Sequence, residues 1–294
     1  MKLYPIHAGN FKLDGGAMFG VVPKTLWSKT NPADENNYCT WSTRCLLVED
    51  GDRLVLIDNG IGTKQDAKFL NRYYLHGDHS LENSFKQAGF TFDDVTDMVI
   101  SHLHFDHCGG SIRYNNDRTG FETTFKNATY WSNKEHWQWA TKPNSREQAS
   151  FLKENIQPIQ DSGQLKWIDG ATIKDNKTNE YSDAKQLGNN ISIMFVRGHT
   201  DAMMVPHILY KGKTVVYVAD LIPSVGHIPL QYICGYDTRP LLSLSEKELF
   251  LNRAAEEEFI LFFEHDSVNE CCTVQKTDKG IRVKDTFTLN EFFG

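Results

Sequence analysis

The stretch VISHLHFDHCGG, residues 99–110, places three histidines and one aspartate within six positions. His102 and His104 are two residues apart at the end of an apolar run, so an extended backbone projects both side chains from the same face. Asp106 and His107 follow where the chain must turn. Imidazole and carboxylate groups at this spacing predict metal binding, with one loop contributing ligands to two neighbouring sites.

One loop leaves each site short of ligands, so the rest of the chain must supply the remainder. Three further candidates each follow an apolar run: His199 in VRGHTD, Asp220 in VVYVAD and His265 in LFFEHD. Ligands that arrive at the carboxyl ends of several strands are typical of a crevice site in an α/β fold. The pattern therefore predicts one split site with two metal ions.

The elements that must position these side chains are strands mixed with helices. Residues 45–58 and 207–220 each read as a hairpin, because two apolar runs flank a short turn that contains glycine. Helical periodicity is clearest in residues 62–74, 80–89, 132–140 and 243–258, and Ser132 is placed as the N-cap of the third of these. The polar stretch 169–190 reads as surface loops or an exposed hairpin. These features predict a single mixed α/β domain over residues 1–294.

Composition limits the kinds of protein this chain could be. Of its 294 residues, 40% are apolar and 12% aromatic, enough for a sizeable core. The net charge is −7 with no basic block, which argues against a nucleic-acid partner. Neither a signal-peptide core nor a run near the ~18–20 apolar residues of a membrane span is present. We therefore expect a cytoplasmic protein with reduced cysteines, no membrane partner and a small-molecule substrate.

The motifs HLHFDH, GHT, an aspartate after a strand and a late EHD resemble those of the metallo-β-lactamase superfamily, in this order over nearly the whole chain. The resemblance implies an α/β (α+β) fold, a four-layer αββα sandwich of two mixed sheets flanked by helices. It also implies a first metal on His102, His104 and His199, and a second on Asp106, His107 and His265. Asp220 would bridge the two metals, and Asp58, at the end of LVLID, would support the site from behind the ligands.

Two departures from the family pattern bear on the function that the resemblance implies. The chain reads GHTDAMM where the superfamily often has GHTPGH, so Asp201 stands in place of the usual Pro-Gly turn. His104 is retained, whereas the di-iron redox branch typically has glutamate at that position, and this favours hydrolysis over electron transfer. We expect two divalent cations, with zinc suited to the histidine-rich ligand set and iron or manganese also accepted by mixed His and carboxylate sites.

The implied reaction is hydrolysis by a hydroxide that bridges the two metals, with Asp106 as the catalytic residue that orients it. Lactones or other carboxylic esters are the expected substrates, as in the lactonase and organophosphate-hydrolase branches. A phosphotriesterase or phosphodiesterase of the same fold is the alternative enzyme, and a metal-stabilised binding or redox module without turnover is the alternative from another class. The resemblance also implies a homodimer.

Four residues outside the metal motifs are candidates for substrate contact: Phe19, Trp137, His227 and Tyr236. Phe19 lies in a segment that resembles the N-terminal flap of the lactonase-like branches. Trp137 belongs to a tryptophan-rich helix, and such a stripe is more often part of the core than of a pocket. His227 and Tyr236 lie in the segment after Asp220, where either a substrate-binding loop or an ordinary surface loop fits the pattern.

Overall fold

The computed structural model describes residues 1–168 and 185–294, which divide into two compact units. The first unit comprises Met1–Phe11 and Ser42–Gly170, and the second comprises Lys12–Trp41 and Ala171–Gly294. Most of the polar stretch 169–190, for which surface loops or a hairpin were predicted, lies outside the described residues. No helix in the part of the chain that is described combines the length and apolar character needed to cross a bilayer.

The strands in chain order are β1 (Lys2–Asp14), β2 (Tyr38–Asp50), β3 (Arg53–Ile57), β4 (Asp97–Val99), β5 (Ile112–Tyr114), β6 (Phe121–Thr123), β7 (Thr129–Ser132), β8 (Leu165–Trp167), β9 (Lys185–Gln186), β10 (Ile191–Val196), β11 (Met203–Tyr210), β12 (Lys213–Tyr217), β13 (Ile260–Phe262), β14 (Cys271–Thr277) and β15 (Gly280–Phe287). The α-helices are α1 (Gly15–Phe19), α2 (Lys24–Trp27), α3 (Ala67–Arg72), α4 (Leu81–Ala88), α5 (Phe105–Cys108), α6 (Lys134–Thr141), α7 (Lys153–Asp161), α8 (Pro240–Glu256) and α9 (Leu289–Phe293).

The first unit is built on a six-stranded sheet in the order β1-β2-β3-β4-β7-β8. Strands β2 and β3 form the predicted hairpin, and Gly51 at its turn has a φ of 63°, which a residue without a Cβ adopts at no steric cost. Strands β3, β4, β7 and β8 are parallel. Parallel neighbours end at the same edge of the sheet, so Asp58 after β3 and His102 after β4 are brought to one edge.

The second unit is built on a seven-stranded sheet in the order β15-β14-β13-β12-β11-β10-β9. Strand β11 runs antiparallel to both β10 and β12, and β12 is parallel to β13. Strands β10, β12 and β13 therefore share one direction, and their carboxyl ends lie at one edge. The predicted ligands His199, Asp220 and His265 follow these three strands in turn. Mixed sheets with helices in each unit agree with the predicted fold class.

Helix boundaries differ from those predicted, and for two helices the structure shows the reason. Ser132 is the last residue of β7, and Asn133 is the N-cap of α6, its side chain accepting from the His136 N–H at 2.8 Å. The prediction of Ser132 was wrong by one residue because both side chains are good caps and the preceding strand runs one residue further. The helix predicted over residues 62–74 is confined to α3, because Asp66 caps its beginning by accepting from the Phe69 N–H at 2.7 Å and Tyr74 after it has a φ of 45°.

Candidate metal centre

The loop after β4 brings the first two histidines of the motif together. The Nε2 atom of His102 lies 3.0 Å from the Nδ1 atom of His104, and both side chains are buried. The Nδ1 atom of His102 faces the Ser101 hydroxyl at 3.1 Å. The structure thus brings these two imidazole nitrogens together with little solvent access, and their binding of one cation stays a prediction.

Asp58 orients the last histidine of the motif. Its Oδ2 lies 3.0 Å from Nδ1 of His107, and its Oδ1 accepts from the Ser101 N–H at 2.7 Å. The carboxylate fixes a hydrogen on Nδ1, so Nε2 is the nitrogen of His107 that can act as a metal ligand. That Nε2 lies 3.9 Å from Oδ2 of Asp106. Asp58 lies beside the motif and contacts His107, and its support of a metal site stays a prediction. It adopts a φ of 56°, a left-handed conformation that aspartate tolerates better than most residues.

The backbone of the motif is held tightly from the segment after Asp58. The Asn59 N–H donates to the His107 carbonyl at 2.9 Å, and the Gly110 N–H donates to the Gly60 carbonyl at 3.0 Å. A Cβ on Gly109 would lie 2.0 Å from the Ile61 carbonyl oxygen, so no other residue fits there without moving the backbone. This close approach explains the glycines that end the motif.

Two buried residues from α6 and the segment after it support the other side of the motif. The Leu103 N–H donates to Nε2 of His136 at 2.8 Å, which fixes the backbone between the two facing histidines. The Nε2 of His104 lies 3.5 Å from Oε1 of Glu147, and Oε2 of this carboxylate accepts from Trp139 Nε1 at 2.7 Å. Glu147 was not predicted, because it is 43 residues from His104 in the chain and belongs to no recognisable motif.

Asp220 lies between the two candidate histidine ligands of the second unit. Its Oδ2 lies 3.0 Å from Nε2 of His199, and its Oδ1 lies 3.0 Å from Nε2 of His265. All three side chains are buried. Each oxygen of one carboxylate thus faces a different histidine, which is the arrangement expected of a residue that bridges two cations.

A second carboxylate, Asp237, holds His199 from the opposite side, with its Oδ1 2.9 Å from Nδ1 of the ring. Burial disfavours the charged imidazole, but the carboxylates of Asp220 and Asp237 outweigh it and raise the pKa of His199 to about 10. Two buried carboxylates around one imidazole make this end of the second unit strongly attractive to positive charge. The donor atoms of His199 and Asp220 lie within 4.8 Å of each other, as do those of Asp106 and His107. Buried imidazole and carboxylate donors at such separations fit a divalent metal.

Asp201, which replaces the usual Pro-Gly turn, is held by two arginines. Its Oδ1 accepts from Nη1 of Arg239 at 2.8 Å and lies 3.2 Å from Nη1 of Arg197. Glu246 of α8 accepts from the Arg197 and Gly198 N–H groups at 2.8 and 2.9 Å. Burial raises the pKa of Glu246 to about 7. The loop on both sides of His199 is therefore held by the ion pairs of Asp201 and by the Glu246 side chain, where the family pattern has a rigid dipeptide after the histidine.

The four predicted substrate residues lie in different surroundings. Phe19 and His227 are buried, with 0% and 1% exposure, and their rings stack at 4.2 Å. Trp137 belongs to the core of the first unit and contacts Trp167 edge to face at 5.5 Å. Tyr236 is 42% exposed. Substrate contact by these residues stays a prediction.

An aromatic cluster that was not predicted lies against the motif. Phe69 of α3 and the neighbouring Tyr73 contact Phe105, the residue between the second histidine and Asp106, with ring centroids 5.3 and 4.5 Å away. Burial, with a smaller effect from the negative charge of Asp106, raises the pKa of Tyr73 to about 12. Phe69 and Tyr73 are half-buried. They form an apolar face beside the metal motif, which we call the aromatic wall (Phe69, Tyr73 and Phe105).

Comparison with known proteins supplies the family context. Residues 40–256 match the model of the metallo-beta-lactamase superfamily. An N-acyl homoserine lactonase of Bacillus thuringiensis is 27% identical over 144 residues, which are 44% of this chain and 53% of that protein. The chain therefore spans about half the length of the curated relatives it matches.

Solved structures are similar over almost the whole chain. The structure of a probable metal-dependent hydrolase from Staphylococcus aureus is 25% identical, with a TM-score of 0.84 and coverage of 98% of this chain and 96% of that one. AidC, a dizinc quorum-quenching lactonase, is 21% identical, with a TM-score of 0.73 and coverage of 97% and 95%. At 21% identity, the similarity to AidC shows a common fold and nothing more.

Proposed function

Because the chain belongs to the metallo-beta-lactamase superfamily, we propose that it is a metal-dependent hydrolase with two metal ions that opens lactones or cleaves related carboxylic esters. The observation that carries the proposal is Asp220, whose two oxygens each face the Nε2 of a different histidine at 3.0 Å. A carboxylate placed in this way is suited to bridging a pair of cations. A site with one metal needs no such residue.

The ligand assignment of the proposal follows the two sets of donors. His102, His104 and His199 would hold the first metal. Asp106, His107 and His265 would hold the second, and Asp220 would contact both. Two contacts support the assignment. The nitrogens of His102 and His104 face each other, and Asp58 binds Nδ1 of His107, which leaves Nε2 on the other side of the ring as the candidate ligand atom. Zinc is the metal that best suits imidazole and carboxylate donors, as in the dizinc lactonase of similar fold.

The chemistry that two bound divalent cations would supply is a lower pKa for a bound water and polarisation of a substrate carbonyl oxygen. The side chains of the protein hold the ligands in orientation and transfer protons. The carboxylate of Asp106, 9% exposed, accepts the proton of the attacking water and returns it to the ring oxygen that leaves when a lactone opens. Asp58 and Ser101 hold His107 in one orientation during this transfer.

The aromatic wall supports a neutral, partly apolar substrate. Phe69, Tyr73 and Phe105 offer ring faces and edges directly beside the motif, where the acyl part of an ester gains contact area without needing a charged partner. The curated relatives are N-acyl homoserine lactonases, whose named substrates combine a lactone ring with an acyl chain. We propose N-acyl homoserine lactones as the first substrates to test.

The experiment is a matched substrate panel on the purified protein. It includes an N-acyl homoserine lactone, an aryl carboxylic ester and an aryl phosphotriester, each with the wild type and with Asp106→Asn. We expect lactone turnover by the wild type and loss of most of it in the variant, whose amide cannot take up a proton and has lost the charge of a ligand. Turnover of the phosphotriester alone would replace the lactonase proposal with a phosphotriesterase. A protein with two metals that hydrolyses none of the three would contradict the enzymatic proposal.

A further inference from the structure

Asp237 is a buried carboxylate outside every motif of the metal site. It lies 38 residues after His199 in the chain, is 5% exposed, and places Oδ1 2.9 Å from Nδ1 of that ring. On its other side, the Nε2 of His199 faces Asp220. The two nitrogens of one imidazole are thus divided between a supporting carboxylate and the proposed bridging ligand.

This contact fixes which nitrogen can bind a metal. An ionised carboxylate only accepts hydrogen bonds, so the Nδ1 atom must carry the hydrogen and Nε2 must carry the lone pair of the neutral ring. The negative charge behind Nδ1 also makes Nε2 a better electron donor. With an apolar residue at position 237, the ring could rotate about χ2 and carry its hydrogen on either nitrogen.

The backbone around Asp237 is fastened to the loop that carries His199. The N–H of Thr238 donates to the His199 carbonyl at 3.1 Å, and the N–H of Arg239 donates to the Gly198 carbonyl at 2.9 Å. A Cβ on Gly198 would lie 2.2 Å from Oγ of Ser243, so α8 packs directly behind this loop. The carboxylate is therefore presented to the ring by a rigid pair of segments, and its position does not depend on a mobile side chain.

From these contacts we infer that Asp237 is a positioning residue for the first metal, acting through His199. The inference rests on the proposed function, because it assumes that His199 is a metal ligand. It assigns to Asp237 the part that Asp58 plays for His107: each carboxylate holds the far nitrogen of one histidine, in one case at 2.9 Å and in the other at 3.0 Å.

The experiment measures metal affinity directly, by competition between the holoprotein and a chromophoric zinc chelator. Asp237→Ala removes both the charge and the acceptor, and we expect zinc binding at one of two sites to weaken about 10- to 100-fold. Asp237→Asn keeps an acceptor oxygen of the same shape, and we expect a smaller loss. The cobalt-substituted proteins provide a second readout, because the visible absorption of one Co²⁺ should change in Asp237→Ala and largely recover in Asp237→Asn.

The matched control is Asp97→Asn, which alters another buried carboxylate. Asp97 begins β4 and binds Arg53 and the Trp131 indole, with no part in the predicted ligand sets. We expect this variant to lower the melting temperature and to bind zinc as the wild type does. If Asp237→Ala keeps two zinc ions at wild-type affinity, the inference is overturned and the proposed function stands. If the wild type itself binds no divalent metal, both are overturned.

Discussion

His227 offers the sharpest prediction about the segment after Asp220, because its surroundings dictate its charge. The Nε2 atom lies 3.0 Å from the Met18 carbonyl and Nδ1 lies 2.9 Å from the Ser224 hydroxyl. A carbonyl only accepts, so Nε2 carries the hydrogen and Nδ1 accepts from the serine. Burial is the main cause that lowers the pKa of this histidine from 6.5 to about 3. The folded protein therefore holds a neutral imidazole.

The sign and size of the effect on stability follow from this pKa. Below pH 6.5 the unfolded chain binds a proton at His227, whereas the folded protein does not. The contribution of His227 to the free energy of unfolding is therefore fully present above pH 6.5 and falls as the pH drops towards 3. The loss is about 2 kcal/mol by pH 5, and the full difference between the two pKa values corresponds to roughly 5 kcal/mol. His227→Gln should remove this dependence while costing about 1–2 kcal/mol at pH 8 for the lost contacts.

The assay is urea unfolding of the chelated protein at pH 8 and pH 5, because bound metal would add its own proton linkage. We expect the difference in unfolding free energy between the two pH values to be about 2 kcal/mol smaller in His227→Gln than in the wild type. Ile208→Val, a buried methyl deletion with nothing to titrate, should lower stability by about 1 kcal/mol at both pH values. An unchanged pH dependence in His227→Gln would show that the ring of His227 is not held buried and neutral, and would leave this residue available for substrate contact.

Three further predictions concern the first unit. Asp58→Ala should weaken zinc binding about 10- to 100-fold in chelator competition, because His107 loses the acceptor on Nδ1; wild-type affinity would show that the contact is incidental. Gly109→Ala should give a protein that binds less than two zinc ions or fails to fold, since its Cβ meets the Ile61 carbonyl at 2.0 Å, and full zinc loading with a normal melting curve would contradict the close packing. Burial alone would raise the pKa of Asp97, but hydrogen bonds from Arg53, Thr96 and Trp131 together lower it. The contribution of Asp97 to stability is therefore present above pH 3.8 and is lost as the pH falls below it. Asp97→Asn should therefore lower the unfolding free energy at pH 7 by about 2 kcal/mol in urea titrations. A change below about 0.5 kcal/mol would mean that the charge of Asp97 does not stabilise the folded protein.

The common position of three candidate ligands could be predicted from the sequence because each of the three follows an apolar run. His199, Asp220 and His265 follow β10, β12 and β13, and strand direction alone brings the three to one sheet edge. Asp58 was predicted with them, since it ends β3 beside the strand that precedes the motif. A short motif at the end of a strand can be recognised from neighbouring residues alone. The direction of the strands then decides whether several such motifs meet at one edge of a sheet.

The supporting residues could not be predicted in this way. Asp237 and Glu147 reach His199 and His104 across 38 and more than 40 residues of chain, from loops without periodicity or motif. The aromatic wall depends on where a short helix packs, which the pattern of residues 62–74 does not determine. Asp201 could be noticed as a departure from the family pattern, but its two arginine partners became visible only with the folded loop.

We propose that two divalent cations at these histidines and carboxylates are needed for ester or lactone hydrolysis by this protein. The direct test is to titrate Zn²⁺ into the chelated protein while following hydrolysis of an N-acyl homoserine lactone. We expect activity to be absent at the start, to rise to a plateau at two equivalents of zinc per chain, and not to return in Asp220→Ala, where the residue proposed to contact both metals is missing. Full activity in the chelated protein, or a plateau reached by Asp220→Ala at the wild-type rate, would contradict the proposal.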